Sequence, residues 1–99
     1  MRQVVLLPAA EQDLQAAQVF YAAENERVGE YCLDSLLGDI ERLSFLAGIH
    51  RRVFGYYRML ASRFPFSIYY SVIEDTVVVA AVLDNRRNPR QLRKLLPKQ

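Results

Sequence analysis

"FPFSIYYSVIEDTVVVAAVL", residues 64–83, carries two different patterns on either side of an acidic pair, and together they decide the fold. Before the pair the period is two. Phe66, Ile68, Tyr70 and Val72 fall on one face and Ser67, Tyr69 and Ser71 on the other, as in a strand with one face buried. Glu74 and Asp75 supply a turn, and from Val77 to Leu83 every position is apolar. A run of that kind fits a strand covered on both faces. The two strands are expected to form a hairpin whose second arm lies in the middle of its sheet.

Outward from this hairpin the period changes. "QVVLL" at 3–7 is β-branched and aliphatic and stops at Pro8, which gives a short first strand. From Pro8, a favoured first-turn residue, Ala10, Leu14, Ala17 and Tyr21 recur at helical spacing, with Glu11 and Asp13 where the helix dipole favours acids. After a break expected around Asn25 to Gly29, Cys32, Leu36, Ile40, Leu43 and Ala47 form one stripe, with Glu30, Asp34 and Glu41 opposite. This second helix stops near Gly48 and completes an antiparallel helical hairpin. Alternation returns weakly in "RVFGYYRML" from residue 52. After Pro89, Leu92, Leu95 and Leu96 mark a short helix too weak to stand without docking or a partner. The expected fold is α+β: a two-helix antiparallel hairpin packed on a small antiparallel-biased sheet, order βααβββ, with a short C-terminal helix.

A chain of 99 residues with 52% apolar content is expected to form one domain, spanning 1–99. The only cysteine, Cys32, can form neither an internal disulfide nor a cysteine-rich zinc site, which suits a reducing cytoplasm. No apolar run approaches the roughly 18 residues of a membrane helix, so no membrane association is expected. Charge is divided unevenly. Residues 1–50 carry three arginines against eight acids, and residues 51–99 carry ten basic residues against three acids. No acid follows Asn85, so a basic surface near the C-terminus and an acidic partner are expected.

The usual catalytic sets are mostly missing. His50 is the only histidine, and no triad, HExxH, phosphate loop or cluster with metal-ligand spacing is present, so no metal or cofactor is expected. What remains is a population of arginines and tyrosines in the second half. The arginines are Arg51, Arg52, Arg58, Arg63, Arg86 and Arg87, interleaved with Tyr56, Tyr57, Tyr69 and Tyr70. Guanidinium groups grip phosphates bidentately and tyrosines can stack on bases, a composition expected of single-stranded RNA contact. The alternative is structural: tyrosines filling the core, and an Asp84 pair with Arg86 or Arg87 stitching the strand end to the C-terminal segment.

The succession "VVLLPAAEQDLQAAQVFY", "YYRMLASRFPFSIYYSV", "TVVVAAVLDNRRNP" resembles the RelE/ParE superfamily of type II toxin-antitoxin toxins, also known as plasmid stabilisation proteins. The resemblance spans roughly residues 4–90. It implies the βααβββ layout, a cytoplasmic protein, and a cognate antitoxin whose C-terminal segment wraps the toxin in a hetero-oligomer. The superfamily has two main activities, messenger RNA cleavage on the ribosome and inhibition of DNA gyrase.

Against the RNA-cleaving pattern this chain has Arg51 and Arg52 where lysines are expected, Ser67 in place of a strand arginine and no tyrosine after Tyr70; it also has Asp84 where the members most like it close the last strand with a histidine. RNA cleavage needs a base, a proton donor and cations for the transition state. The residues therefore favour a non-enzymatic gyrase inhibitor over a ribosome-dependent endoribonuclease, with a decayed, non-toxic member as a third reading. No catalytic residue is assigned. The expected functional surface combines Arg58, Arg63, Arg86, Arg87 and Arg90, with His50, Arg51, Arg52 and Tyr70 as secondary candidates.

Overall fold

The computed structural model describes residues 1–97; Lys98, counted above with the basic tail, lies outside them. Five strands form one sheet in the order β1-β5-β4-β3-β2: β1 Gln3–Leu6, β2 Arg51–Val53, β3 Tyr56–Leu60, β4 Phe66–Ile73 and β5 Thr76–Asp84. The quoted hairpin is β4–β5. Ile73 pairs with Thr76 across the Glu74-Asp75 turn, and Glu74 takes a left-handed φ of 56°. β1 joins β5 in parallel, and the other pairings are antiparallel. The all-apolar strand is central, as expected.

Both faces of β5 are covered, by different elements. Val77, Val79 and Val82 enter the main core beneath the helical hairpin, whereas Ala80, Ala81 and Leu83 enter a second core on the outer face. The alternation slips because Tyr69 pairs with Ala81 while Tyr70 pairs with Val79, leaving Ala80 as the extra residue of a bulge. With every position apolar, no polar residue marks that slip in the sequence.

The helical layer consists of α1 Pro8–Ala22, α2 Glu26–Glu41 and a single-turn α3 Leu43–Leu46. The break before α2 is shorter than expected. Asn25 caps the helix by accepting from the Arg27 N–H at 2.9 Å, and Gly29 lies inside α2. A Cβ at Gly29 would stand 2.6 Å from the Ala22 Cβ and 2.7 Å from the Gln18 carbonyl oxygen. Glycine there permits close helix approach; it does not break the helix. At the other end the expected single helix is interrupted at Arg42. Buried Asp39 ties α2 to the β3–β4 connection, accepting from the Ser62 N–H and hydroxyl at 2.9 Å and from Arg42.

The weak alternation after residue 52 resolves into two strands. Phe54 and Gly55 both have positive φ, 55° and 84°, and close a two-residue hairpin between β2 and β3. This adds one strand to the expected order. The C-terminal helix α4, Pro89–Leu95, is capped by Asn88 and docks on the outer face. Leu92 and Leu96 are buried there with Tyr56, Tyr69, Ala80, Ala81 and Leu83, while Leu95 stays exposed. The Tyr56 hydroxyl donates to the Pro97 carbonyl at 2.5 Å and fastens the end of the segment.

Candidate functional site

Alternation along β2, β3 and β4 decides which basic residues converge. Arg58 pairs in register with Arg51 on one side and Tyr69 on the other, so all three share the outer face. The Arg58 guanidinium donates from Nε to the Ser67 hydroxyl at 2.9 Å and from Nη2 to the Asn85 Oδ1 at 3.3 Å. The fully buried Ser67 also donates to that Asn85 oxygen. A half-buried cation is thereby fixed by two neutral side chains from β4 and the end of β5. Among the described residues the ion pairs are Asp39–Arg42 and Asp84–Arg86, so no carboxylate neutralises Arg51 or Arg58. α4 brings Arg90, Arg93 and Lys94 to the same side, where they line a shallow depression of about 540 Å³ with Leu96.

The other expected cations lie elsewhere. Arg86 grips Asp84 with Nε at 3.0 Å and Nη2 at 2.7 Å, and its guanidinium stands 5.9 Å from the Phe20 ring centroid. That hydrogen bond holds the Asp84 carboxyl below its ordinary range. Arg87 lines a cleft of about 340 Å³ between α1 and the end of β5, together with Asp13, Phe20 and Asp84. Arg63, in the β3–β4 connection, donates to the Tyr31 hydroxyl of α2 at 2.9 Å. Arg86, Arg87 and Arg63 therefore do not join the Arg58 cluster.

His50 and Tyr70 sit on the opposite face of the sheet. The Tyr70 oxygen accepts the Gly48 N–H at 2.9 Å and stands in hydrogen-bond contact with His50 Nδ1, 2.5 Å away. Burial lowers its pKa, and burial pushes the Tyr70 phenol up. Tyr57 stacks on Tyr70 with centroids 5.2 Å apart, and Arg52 covers Tyr57 at 4.8 Å. The group packs against the helical side, with Tyr70 wholly buried.

Three contributors escape a reading by pattern: Asn85, Asp13 and Asp39. Asn85 looks like part of a turn, and only its register places it beside Arg58. Asp13 looks like a first-turn acid, yet it accepts the Val82 N–H at 2.9 Å, serving β5 beyond the end of the shorter β1. Desolvation raises its pKa against the lowering effects of that N–H and of Arg87. Asp39 lies within an acidic helix whose other acids are solvated, and its burial has no sequence signal.

None of the curated proteins compared with the chain matches it. Among solved structures, one titled "Chromosomal ParDE TA system from P. aeruginosa" superposes with a TM-score of 0.78 at 19% identity, covering 85% of this chain and 96% of that one. This likeness is one of fold. The family described as "ParE toxin of type II toxin-antitoxin system, parDE" matches residues 4–89, nearly the whole sheet and both long helices. The chain belongs to the ParE toxin family of type II toxin-antitoxin systems.

Proposed function

We propose that this toxin acts in the cytoplasm by inhibiting DNA gyrase, without catalysing a reaction of its own, and that a cognate acidic antitoxin neutralises it. The observation that carries this choice is the separation of His50 from Arg58. Cleavage of RNA through its 2′-hydroxyl requires a base and a phosphate-binding cation on the same scissile group. His50 is engaged by Tyr70 on the helical side, and Arg58 lies on the outer side. The tyrosines of the outer face, Tyr56 and Tyr69, are buried. A cationic surface lacking a base fits binding better than catalysis.

The same surface accounts for neutralisation. An acidic, partly disordered antitoxin segment would order against the cations of α4 and the sheet, with opposite charge guiding its approach. The deciding experiment is supercoiling by purified bacterial gyrase with the folded toxin titrated in. Inhibition accompanied by linearised, cleaved plasmid is expected. No effect at large molar excess would overturn the gyrase reading, and ribosome-dependent messenger RNA cleavage, mapped in a cell-free translation reaction, would then replace it. Silence in both assays would mark a member that keeps the fold without toxicity.

A further inference from the structure

Arg58 is half-buried, and it faces Arg51 directly across the β2–β3 ladder. Cross-strand neighbours have Cβ atoms about 5 Å apart, and like charges so placed repel. The fold nevertheless spends two side chains, Ser67 and Asn85, on holding the Arg58 guanidinium in place. Both supply neutral acceptors. Among the described residues no acceptor engages Nη1, which is left for an external anion. The strand positions sharing this face include Arg51 and Arg58 and no Asp or Glu, and α4, docked on the same face through Leu92 and Leu96, adds Arg90, Arg93 and Lys94. An arrangement of donors with no acceptor charge is built to receive an anion.

The distribution of these cations selects the kind of anion. They are spread over two strands and a helix, matching a chain of regularly spaced charges better than one compact group. Tyr56 and Tyr69 are buried, so this face presents no tyrosine platform on which unpaired bases would stack. That favours a duplex, read through its backbone. We propose that the outer face binds the phosphodiester backbone of double-stranded DNA, with Arg58 gripping one phosphate and Arg51 and the α4 cations contacting its neighbours. The inference rests on the gyrase reading for its setting, since gyrase works on duplex DNA, but it concerns contact with the DNA itself.

The test is fluorescence anisotropy of a labelled duplex of about 20 bp with the full chain, titrated with salt from about 50 to 200 mM. Each lost phosphate contact lowers the slope of log K against log salt by about 0.9. Arg58→Gln is expected to weaken binding several-fold for any sequence and to reduce the slope by about that amount. Arg27→Gln removes the same charge from the exposed start of α2 and is expected to change neither quantity. Circular dichroism melting confirms folding, and if Arg58→Gln fails to fold, the exposed Arg51→Gln is expected to give the same slope change.

One result would overturn the proposal: equal behaviour of the Arg51 or Arg58 variant and Arg27→Gln. A parallel supercoiling assay separates the two ideas. Gyrase inhibition without DNA binding removes this inference alone, and DNA binding with the Arg58 signature but no inhibition supports it while removing the gyrase reading.

Discussion

Phe54 is the residue whose conformation most disagrees with its identity. It holds φ at 55° in the β2–β3 turn with its side chain 42% exposed. Left-handed backbone costs an ordinary L-residue about 1–2 kcal/mol, and asparagine tolerates it better. Phe54→Asn is therefore expected to stabilise the protein by about 0.5–1 kcal/mol, raising Tm by roughly 2–8 °C in a thermal melt. A lower Tm would mean that the half-exposed ring contributes more than the turn strain costs.

His50 makes a different residue-level statement. Its folded pKa lies below the ordinary histidine value of 6.5 because burial disfavours the imidazolium. The unfolded chain then binds more protons, so this contribution is complete above about pH 6.5 and is lost as pH falls through 6.5 toward the lowered folded value. Urea unfolding at several pH values is expected to show a loss below pH 6.5 that is smaller in His50→Gln. Parallel curves for the two proteins would contradict it.

At the scale of elements, Gly29 sets one force against another. Glycine to alanine in a helix interior gains up to about 1 kcal/mol of propensity, but here the new Cβ meets Ala22 and the Gln18 carbonyl below 3.0 Å. Overpacking of that kind costs about 1–3 kcal/mol, so Gly29→Ala is expected to destabilise in chemical denaturation despite the better helix former. The same position explains a misplaced boundary. A glycine after Asn25 reads as a break, and only the neighbouring helix reveals that it permits close contact.

Strand parity in β4, the stripe of α1 and the centrality of β5 were legible because polar and apolar residues alternate or fail to alternate there. The β2–β3 turn was obscured because Phe54 stands where Asn or Gly would signal it, and the bulge at Ala80 was obscured by an unbroken apolar run. α4 was legible as a helix in need of docking, and Leu92 and Leu96 provide that docking.

The whole molecule turns a division of charge along the chain into a division between layers. β1 is the only strand drawn from residues 1–50, so the eight acids of that half belong mostly to the helical layer, and the described cations of the second half populate the sheet, its connections and α4. This polarity is readable from the sequence, but which of the cations are paired is not. Arg58 and Arg86 look equivalent until the structure pairs Arg86 with Asp84 and, among the described residues, leaves Arg58 and the α4 cations without a carboxylate. The difference predicts association kinetics. Opposite charge raises on-rates through the field around a surface, and salt screens that field over a Debye length of about 10 Å at 0.1 M. Stopped-flow binding of an acidic antitoxin segment is expected to slow several-fold with Arg93→Glu at low salt, and the difference from wild type is expected to shrink at high salt. Arg86→Glu changes the formal charge equally, but Arg86 already shares its field with Asp84. A smaller slowing is expected from it, and equal slowing by the two variants would show that the segment approaches the net charge of the molecule, with no preference for its outer face.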